Sequence, residues 1–267
     1  MANAPKKSEE KIVEVMEIQK GIIEFNILGT TPLILNTMSE KARRTILEPG
    51  PKKNRAEKAS TAKHNPPEEF RASAYTFSDK SQPTFIGFMA SAFKAALKSA
   101  AVDIPGATKA EIGRLTYVEG DYVGIYGVPK LFMAVTRSAD MARTPDIRTR
   151  AILPEWACVV RISYVKPLVT QQSVVNLLAA AGLIRGIGDW RPEKGSGSYG
   201  QFSLVGADDP DFKRIIKTQG RAAQIKGFDN IETYDDETEK LYSWHLDEMK
   251  RREIEPIKKA AGKEVAA

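Results

Sequence analysis

Trp156-Ala-Cys-Val-Val-Arg-Ile-Ser-Tyr-Val165 alternates as a half-buried strand does, with Cys158, Val160, Ile162 and Tyr164 facing one way and Val159, Arg161, Ser163 and Val165 the other. Just beyond it, Thr170 is placed to cap a helix whose Val174, Leu177, Leu178, Ala181 and Ile184 form one stripe. Residues 201–205 then alternate again, so the stretch reads strand, helix, strand. Cys158 is the chain's one cysteine, which excludes a disulfide framework and a thiolate zinc site built from this chain alone. Inside a strand it reads as a small buried hydrophobe.

Toward the N-terminus the same reading extends the pattern. Residues 21–28 form a strand with Ile23, Phe25 and Ile27 on one face, stopped by Thr31-Pro32. Met89, Ala92, Phe93, Ala96, Leu97 and Ala100 recur at helical spacing, with Lys94 and Lys98 opposite, and predict an amphipathic helix over 87–100. Strand-like runs around Tyr117, Tyr122–Tyr126 and Leu131–Val135 are broken by Gly120, Gly124, Gly127 and Pro129, which predicts hairpins. The order predicts an α+β fold of the ferredoxin-like (RRM-like, βαββαβ) kind: an antiparallel sheet with both helices on one face and the opposite face bare. Residues 1–20 read as a flexible tail. Residues 21–205 read as the domain, with a basic insertion at about 45–72 and a hairpin insertion at about 103–150, and residues 206–267 as a C-terminal extension. In that extension, 206–232 show little periodicity, and 235–259 predict a charged helix using Leu241, Trp244, Met249, Ile254 and Ile257.

Among 267 residues, 42% are hydrophobic, enough for a core, and no apolar run is long enough to span a membrane. The charged, polar N-terminus has no apolar secretory segment, so a cytoplasmic location is expected. The net charge of +6 favours polyanionic partners only modestly. Its distribution says more: residues 41–71 hold nine Lys or Arg against four Glu, among them Lys52, Lys53 and Arg55, in a stretch rich in Pro, Gly, Asn and Ala, of which about 45–72 reads as a mobile excursion or plain solvated surface.

Between the last helix and the last strand runs Gly186-Ile-Gly-Asp-Trp-Arg-Pro-Glu-Lys-Gly-Ser-Gly-Ser-Tyr-Gly200. Glycine serves positive φ or close backbone approach, and cations beside aromatic rings suit a phosphate backbone and its bases. Gly195-Ser-Gly197-Ser-Tyr-Gly200 satisfies GxGxxG, but a dinucleotide fingerprint follows a strand and opens a helix, whereas this loop does the reverse. A plain helix-to-strand connection capped by Gly186 or Gly188 is the blander reading. Candidate nucleic-acid contacts are therefore Gly186, Gly188, Trp190, Arg191, Lys194, Gly195, Gly197, Tyr199 and Gly200 of the loop. To these the reading adds Arg143, Arg148 and Arg150, Arg161 on the exposed strand face, and the basic-stretch residues Lys52, Lys53 and Arg55. Trp190 serves equally well as a packing anchor.

Catalytic signals are sparse. His64 and His245 are the two histidines, neither beside an evident acid–base partner in sequence. There is no HExxH, paired CxxC or GxxxxGK[ST] motif, and Asp208-Asp-Pro-Asp211 and Asp235-Asp-Glu237 suit helix caps or solvated surface better than an ion. No catalytic residue, metal or cofactor is assigned.

The layout resembles the RAMP superfamily, especially the backbone subunits of CRISPR surveillance complexes. The motifs that carry the likeness are Gly186-Ile-Gly188-Asp-Trp-Arg191 and Gly195-Ser-Gly-Ser-Tyr-Gly200-Gln-Phe202, with Thr30-Thr-Pro-Leu33 and Arg143-Thr-Pro-Asp-Ile-Arg-Thr-Arg150 in support. The likeness covers roughly residues 21–205 and implies a ferredoxin-like protein that holds single-stranded nucleic acid by its backbone, many copies side by side. By position Gly186, Gly188, Arg191, Lys194, Gly195, Gly197 and Gly200 fall on the family's glycine loop. The basic excursion and the appended charged helix depart from a standard subunit, and similar phage-borne proteins imply single-stranded DNA as readily as guide RNA. The expectation is a non-catalytic protein that oligomerises along single-stranded DNA or RNA in a helical or linear array. Its rivals are a metal-independent endoribonuclease, since some RAMP relatives cut RNA with a histidine near that loop, and an assembly protein without nucleic acid.

Overall fold

The alternating stretch around Cys158 becomes β9 (Ala157–Lys166), the strand on which the rest is hung. The computed structural model describes residues 15–37, 64–137, 145–194 and 197–251, with positions 43 and 47. Along one side β9 pairs with β1 (Gln19–Gly29), and along the other with β5 (Thr116–Val118), which follows the short helix α3 (Lys109–Leu115), and β6 (Tyr122–Tyr126). Beyond β1 lies β10 (Phe202–Val205), and beyond β6 lie β4 (Ile86–Met89) and β3 (Tyr75–Thr76). The order is β10-β1-β9-β6-β4-β3, antiparallel throughout.

Register decides which side chains meet the helices. Ile23, Phe25 and Ile27 of β1 stand opposite Ile162, Val160 and Cys158, so one apolar stripe crosses both strands. Against it pack α2 (Ala90–Ala100), through Phe93 and Leu97, and α4 (Gln171–Ile184), through Val174, Leu178 and Ala181. Thr170 caps α4 as its sequence predicts, its hydroxyl accepting from the Ser173 amide at 3.1 Å. The helix expected over 87–100 begins at Ala90, because residues 87–89 are spent pairing with β6. Cys158 is fully buried, and that burial pushes its thiol well above the ordinary range.

A second, three-stranded sheet has the order β2-β8-β7, from β2 (Leu33–Ile34), β8 (Pro145–Leu153) and β7 (Lys130–Arg137). Leu33, Leu131, Met133, Ala151 and Leu153 join the main core, so this sheet curls over the end of the first. The result is a mixed α+β architecture with curled antiparallel sheets.

Three expectations need correction. Residues 66–72, assigned to the mobile excursion, form α1 (Pro66–Ala72), with Phe70 fully buried against Phe228 at a ring distance of 5.1 Å. Proline reads as a breaker, yet it is tolerated in a first helical turn, where its missing N–H would have had no partner. Residues 206–232, which show little periodicity, hold α5 (Pro210–Thr218) and α6 (Arg221–Asp229); such short helices show only two apolar turns. Third, the sheet face opposite α2 and α4 is not wholly bare. There α5 lays Phe212 and Ile215 on Ala157, Leu28, Val159 and Val205, held by a two-pronged Arg214–Glu155 pair at 2.8 and 2.9 Å.

The acidic clusters act as caps: Asp209 accepts from the Phe212 amide at 2.9 Å, and Asp235 from the Thr238 amide at 2.8 Å at the head of α7 (Asp236–Arg251). Buried Gln224 of α6 accepts from the Phe85 and Ile86 amides and donates to the Ile125 carbonyl, tying α6 to β4 and β6. The hydroxyl of Thr238 accepts from the Met133 amide at 3.2 Å and docks α7 on β7 of its own chain. Among the described residues no helix is long and apolar enough to cross a membrane. The part of the charged helix predicted beyond Arg251 lies outside the described residues.

Candidate nucleic-acid interface

After α4 the chain must turn back to enter β10, and it does so against β2. The Asp189 amide donates to the Ile34 carbonyl at 3.0 Å, the Gly200 amide to Pro32 at 2.8 Å, and the Ile187 amide to the Gly200 carbonyl at 2.9 Å. Gly186, Gly188 and Gly200 all have positive φ, and so does Trp190, at +50°. At Gly200 the requirement is double. Its φ is +72°, and a Cβ there would stand 1.7 Å from the Ile187 carbonyl oxygen. Gly188, at φ +84°, is likewise closed in, by Leu33 and the Ile34 carbonyl. Gly200 serves the packing of loop backbone on loop backbone, and Gly188 the close approach of the loop to β2.

The polar side chains of the loop follow the same inward logic. Arg191 donates to the Gly188 carbonyl at 3.0 Å and to Glu193 at 2.9 Å, and Glu193 also accepts from the Ser99 hydroxyl at 2.6 Å. Burial pushes the Glu193 carboxyl up, but the hydrogen bonds from Ser99 and Arg191, with the nearby charges of Arg191 and Arg185, outweigh it and hold the group below the ordinary carboxylate range. Arg191 thus ties the loop to itself, and Glu193 fastens it to α2 through Ser99. Trp190 and Tyr199 pack edge and tilt against Phe132, at ring distances of 5.5 and 6.2 Å, with Tyr234 closing the cluster at 5.9 Å. Burial, then Tyr234 and Asp235, raise the Tyr199 phenol above its usual value. Lys194, in the 3-10 turn Pro192–Lys194, is exposed.

The cluster rests on the outer face of the small sheet. Register places Phe132 opposite Arg150 and Ala134 opposite Arg148, so alternation along β8 puts Arg148 and Arg150 on the face that carries Trp190 and Tyr199. Arg148 is exposed; Arg150 is partly buried, with its Nε 3.9 Å from Asp189 in the glycine loop. Burial lowers the Arg150 pKa, which Asp189 and Glu69 oppose and Arg148 reinforces; the guanidinium stays charged regardless. The structure therefore brings Arg148 and Arg150 beside the loop. Arg161 it does not: on the far face of β9, Arg161 pairs with Glu119 at 3.5 Å and Glu24 at 3.9 Å. Lys52, Lys53, Arg55, Arg143 and Gly195 lie outside the described residues.

Sequence reasoning missed a histidine cluster at the start of β8. His64 lies between Glu69, 3.0 Å from Nδ1, and Asp146, 2.9 Å from Nε2, and the charges of both His64 and Glu69 act on His245 of α7. Asp146 lies on a strand remote in sequence, so only the fold reveals the pairing. The two carboxylates stand at opposite ends of the imidazole and do not converge; among the described residues no group of His, Cys, Asp and Glu is arranged to hold a metal ion. No protein-family model matches this chain, and no curated protein sequence matches it.

Proposed function

We propose that this protein is a non-catalytic binder of single-stranded nucleic acid that lines up in copies along the strand, as the RAMP-like reading of its motifs implies. The strand order β10-β1-β9-β6, with α2 and α4 together on one face, supports a ferredoxin-like core. The observation that carries the reading is the meeting of two basic motifs that are distant in sequence: Arg148 and Arg150 share one strand face with the glycine loop, next to its aromatic cluster, and the loop itself carries an exposed Lys194. Cations along a polar ledge neutralise phosphates without reading sequence. Arg191 stands outside this set, because its guanidinium is already engaged inside the loop, by the Gly188 carbonyl and the neutralising Glu193 carboxylate.

Catalysis is not part of the proposal. Both ring nitrogens of His64 face carboxylates, which leaves neither to approach a substrate hydroxyl. The test is a salt series of binding to labelled single-stranded DNA, single-stranded RNA and duplex, with native protein and an Arg148→Glu/Lys194→Glu variant. Native protein is expected to prefer single strands, leave the RNA intact and form filaments visible by electron microscopy. The variant is expected to bind at least about tenfold more weakly, with a salt slope shallower by roughly 1.4 for two lost phosphate contacts. Its thermal unfolding should match that of the native protein. Equal affinity in the variant removes this ledge from the interface.

A further inference from the structure

The sheet face that α5 leaves open carries a second feature. Where β4 turns into α2, opposite the turn joining β5 to β6, lies a cleft of about 440 Å³ lined by Tyr117, Tyr122, Met89, Lys94, Ser91 and Asp121, among others. Tyr117 is 53% exposed, Tyr122 45% and Met89 38%, an apolar and aromatic surface that folding alone leaves in water. Tyr122 is braced from behind by Tyr75, at a ring distance of 5.3 Å, and by Phe77 at 6.3 Å, so its ring is held in place before any ligand arrives. The Lys94 ammonium stands 5.7 Å from the centre of the Tyr117 ring. A flat ring flanked by an anion matches this arrangement: tyrosine faces for the ring, an ammonium beside them for the anion. Asp121 is the opposing charge of the lining, and its carbonyl accepts from the Ala90 amide at 2.9 Å, which fixes the cleft wall.

We propose that this cleft seats one base of a bound single strand against Tyr117 and Tyr122, with Lys94 against that nucleotide's phosphate. The proposal rests on the reading that the protein holds single-stranded nucleic acid, and it adds a site at the other end of the sheet. Tyr117 pairs with Ser163 near the far end of β9, whereas the glycine loop reaches the sheet where Leu28 pairs with Ala157. Six residues of strand span about 20 Å, within reach of a strand occupying roughly 4–16 nucleotides on one fold.

The experiment compares binding, by fluorescence anisotropy, of a labelled oligothymidylate and an abasic strand of equal length. Native protein is expected to favour the base-bearing strand by about tenfold, the worth of one stacked base. Tyr117→Leu and Tyr122→Leu should each lose most of that preference, Tyr117→Phe should keep it, and Lys94→Gln should weaken both strands alike. Thermal unfolding of each variant separates lost contacts from lost folding, and Tyr117, more exposed and less braced, is the safer substitution. Equal affinity of native protein for the two strands overturns the cleft. So does a folded Tyr117→Leu variant with native preference, and if Arg148→Glu/Lys194→Glu still weakens binding, the ledge on β8 stands without it. Native protein that binds neither strand overturns both readings.

Discussion

The glycine loop and strand β8 form two sides of one ledge, and both look alike in composition, with arginines in a polar setting. They differ in where those arginines spend their hydrogen bonds. In the loop, Arg191 is committed to Gly188 and Glu193, and Trp190 and Tyr199 to Phe132. On β8, Arg148 is exposed, because a strand sends alternate side chains outward whatever its own backbone bonds require. A loop without a regular hydrogen-bond ladder must satisfy its polar groups with its own side chains, and those side chains are then poor ligands. The loop supplies shape and an exposed Lys194; the strand supplies the free arginine charge.

The largest test of that division is Gly200→Ala. The added Cβ would press on the Ile187 carbonyl at 1.7 Å in a backbone of φ +72°, so neither side can yield cheaply. A loss of about 3 kcal/mol is expected, lowering Tm by roughly 6–12 °C. A melting temperature within a degree or two of native would show that the loop rearranges freely, and the distinction between shape and charge would fail.

Arg191→Ala probes the same side more gently. Removing one member of a half-buried, charge-assisted set that includes Glu193 and Ser99 is expected to cost about 1–2 kcal/mol. Oligonucleotide affinity at a temperature where the variant is folded should change less than about threefold, since no phosphate contact is assigned to it. An unchanged Tm with affinity lost would reverse the assignment, making Arg191 a source of charge for the ligand.

Much of this was legible in the chain, for physical reasons that also explain the rest. The strand around Cys158 and the helix capped by Thr170 announce themselves because their periodicity is long and their cap chemistry local. The glycine loop was visible as a place, but the direction its side chains take depends on Phe132 and Ser99, partners that no window of sequence contains. Short α1 and α5 escaped because their burial is decided by a single Phe70 or by the pair Phe212 and Ile215. The open aromatic cleft escaped for the opposite reason. Tyr117 and Tyr122 read as ordinary strand residues, and only the register of β5 and β6 against their neighbours puts both on one uncovered face.

Acid should separate the two sides once more, with the smallest effect. On the strand side, burial holds His245 below its ordinary value near 6.5, His64 adds to this and Glu69 opposes it. Below that ordinary value the unfolded chain takes up a proton that the folded His245 resists. Stability therefore falls as pH drops from about 6.5, and levels off once the folded group protonates too. On the loop side, Glu193 is held below its ordinary value near 4.5, so its contribution is intact above 4.5 and fades only as pH falls further. The strand side is thus expected to weaken first. Replacing His245 with Gln should remove the upper part of the acid dependence, reducing the Tm change between pH 7.5 and 5.5 by roughly 1–2 °C while leaving the loss below 4.5 in place. A variant whose Tm tracks the native protein across both ranges would assign the acid response to carboxylates alone and erase this last difference between strand and loop.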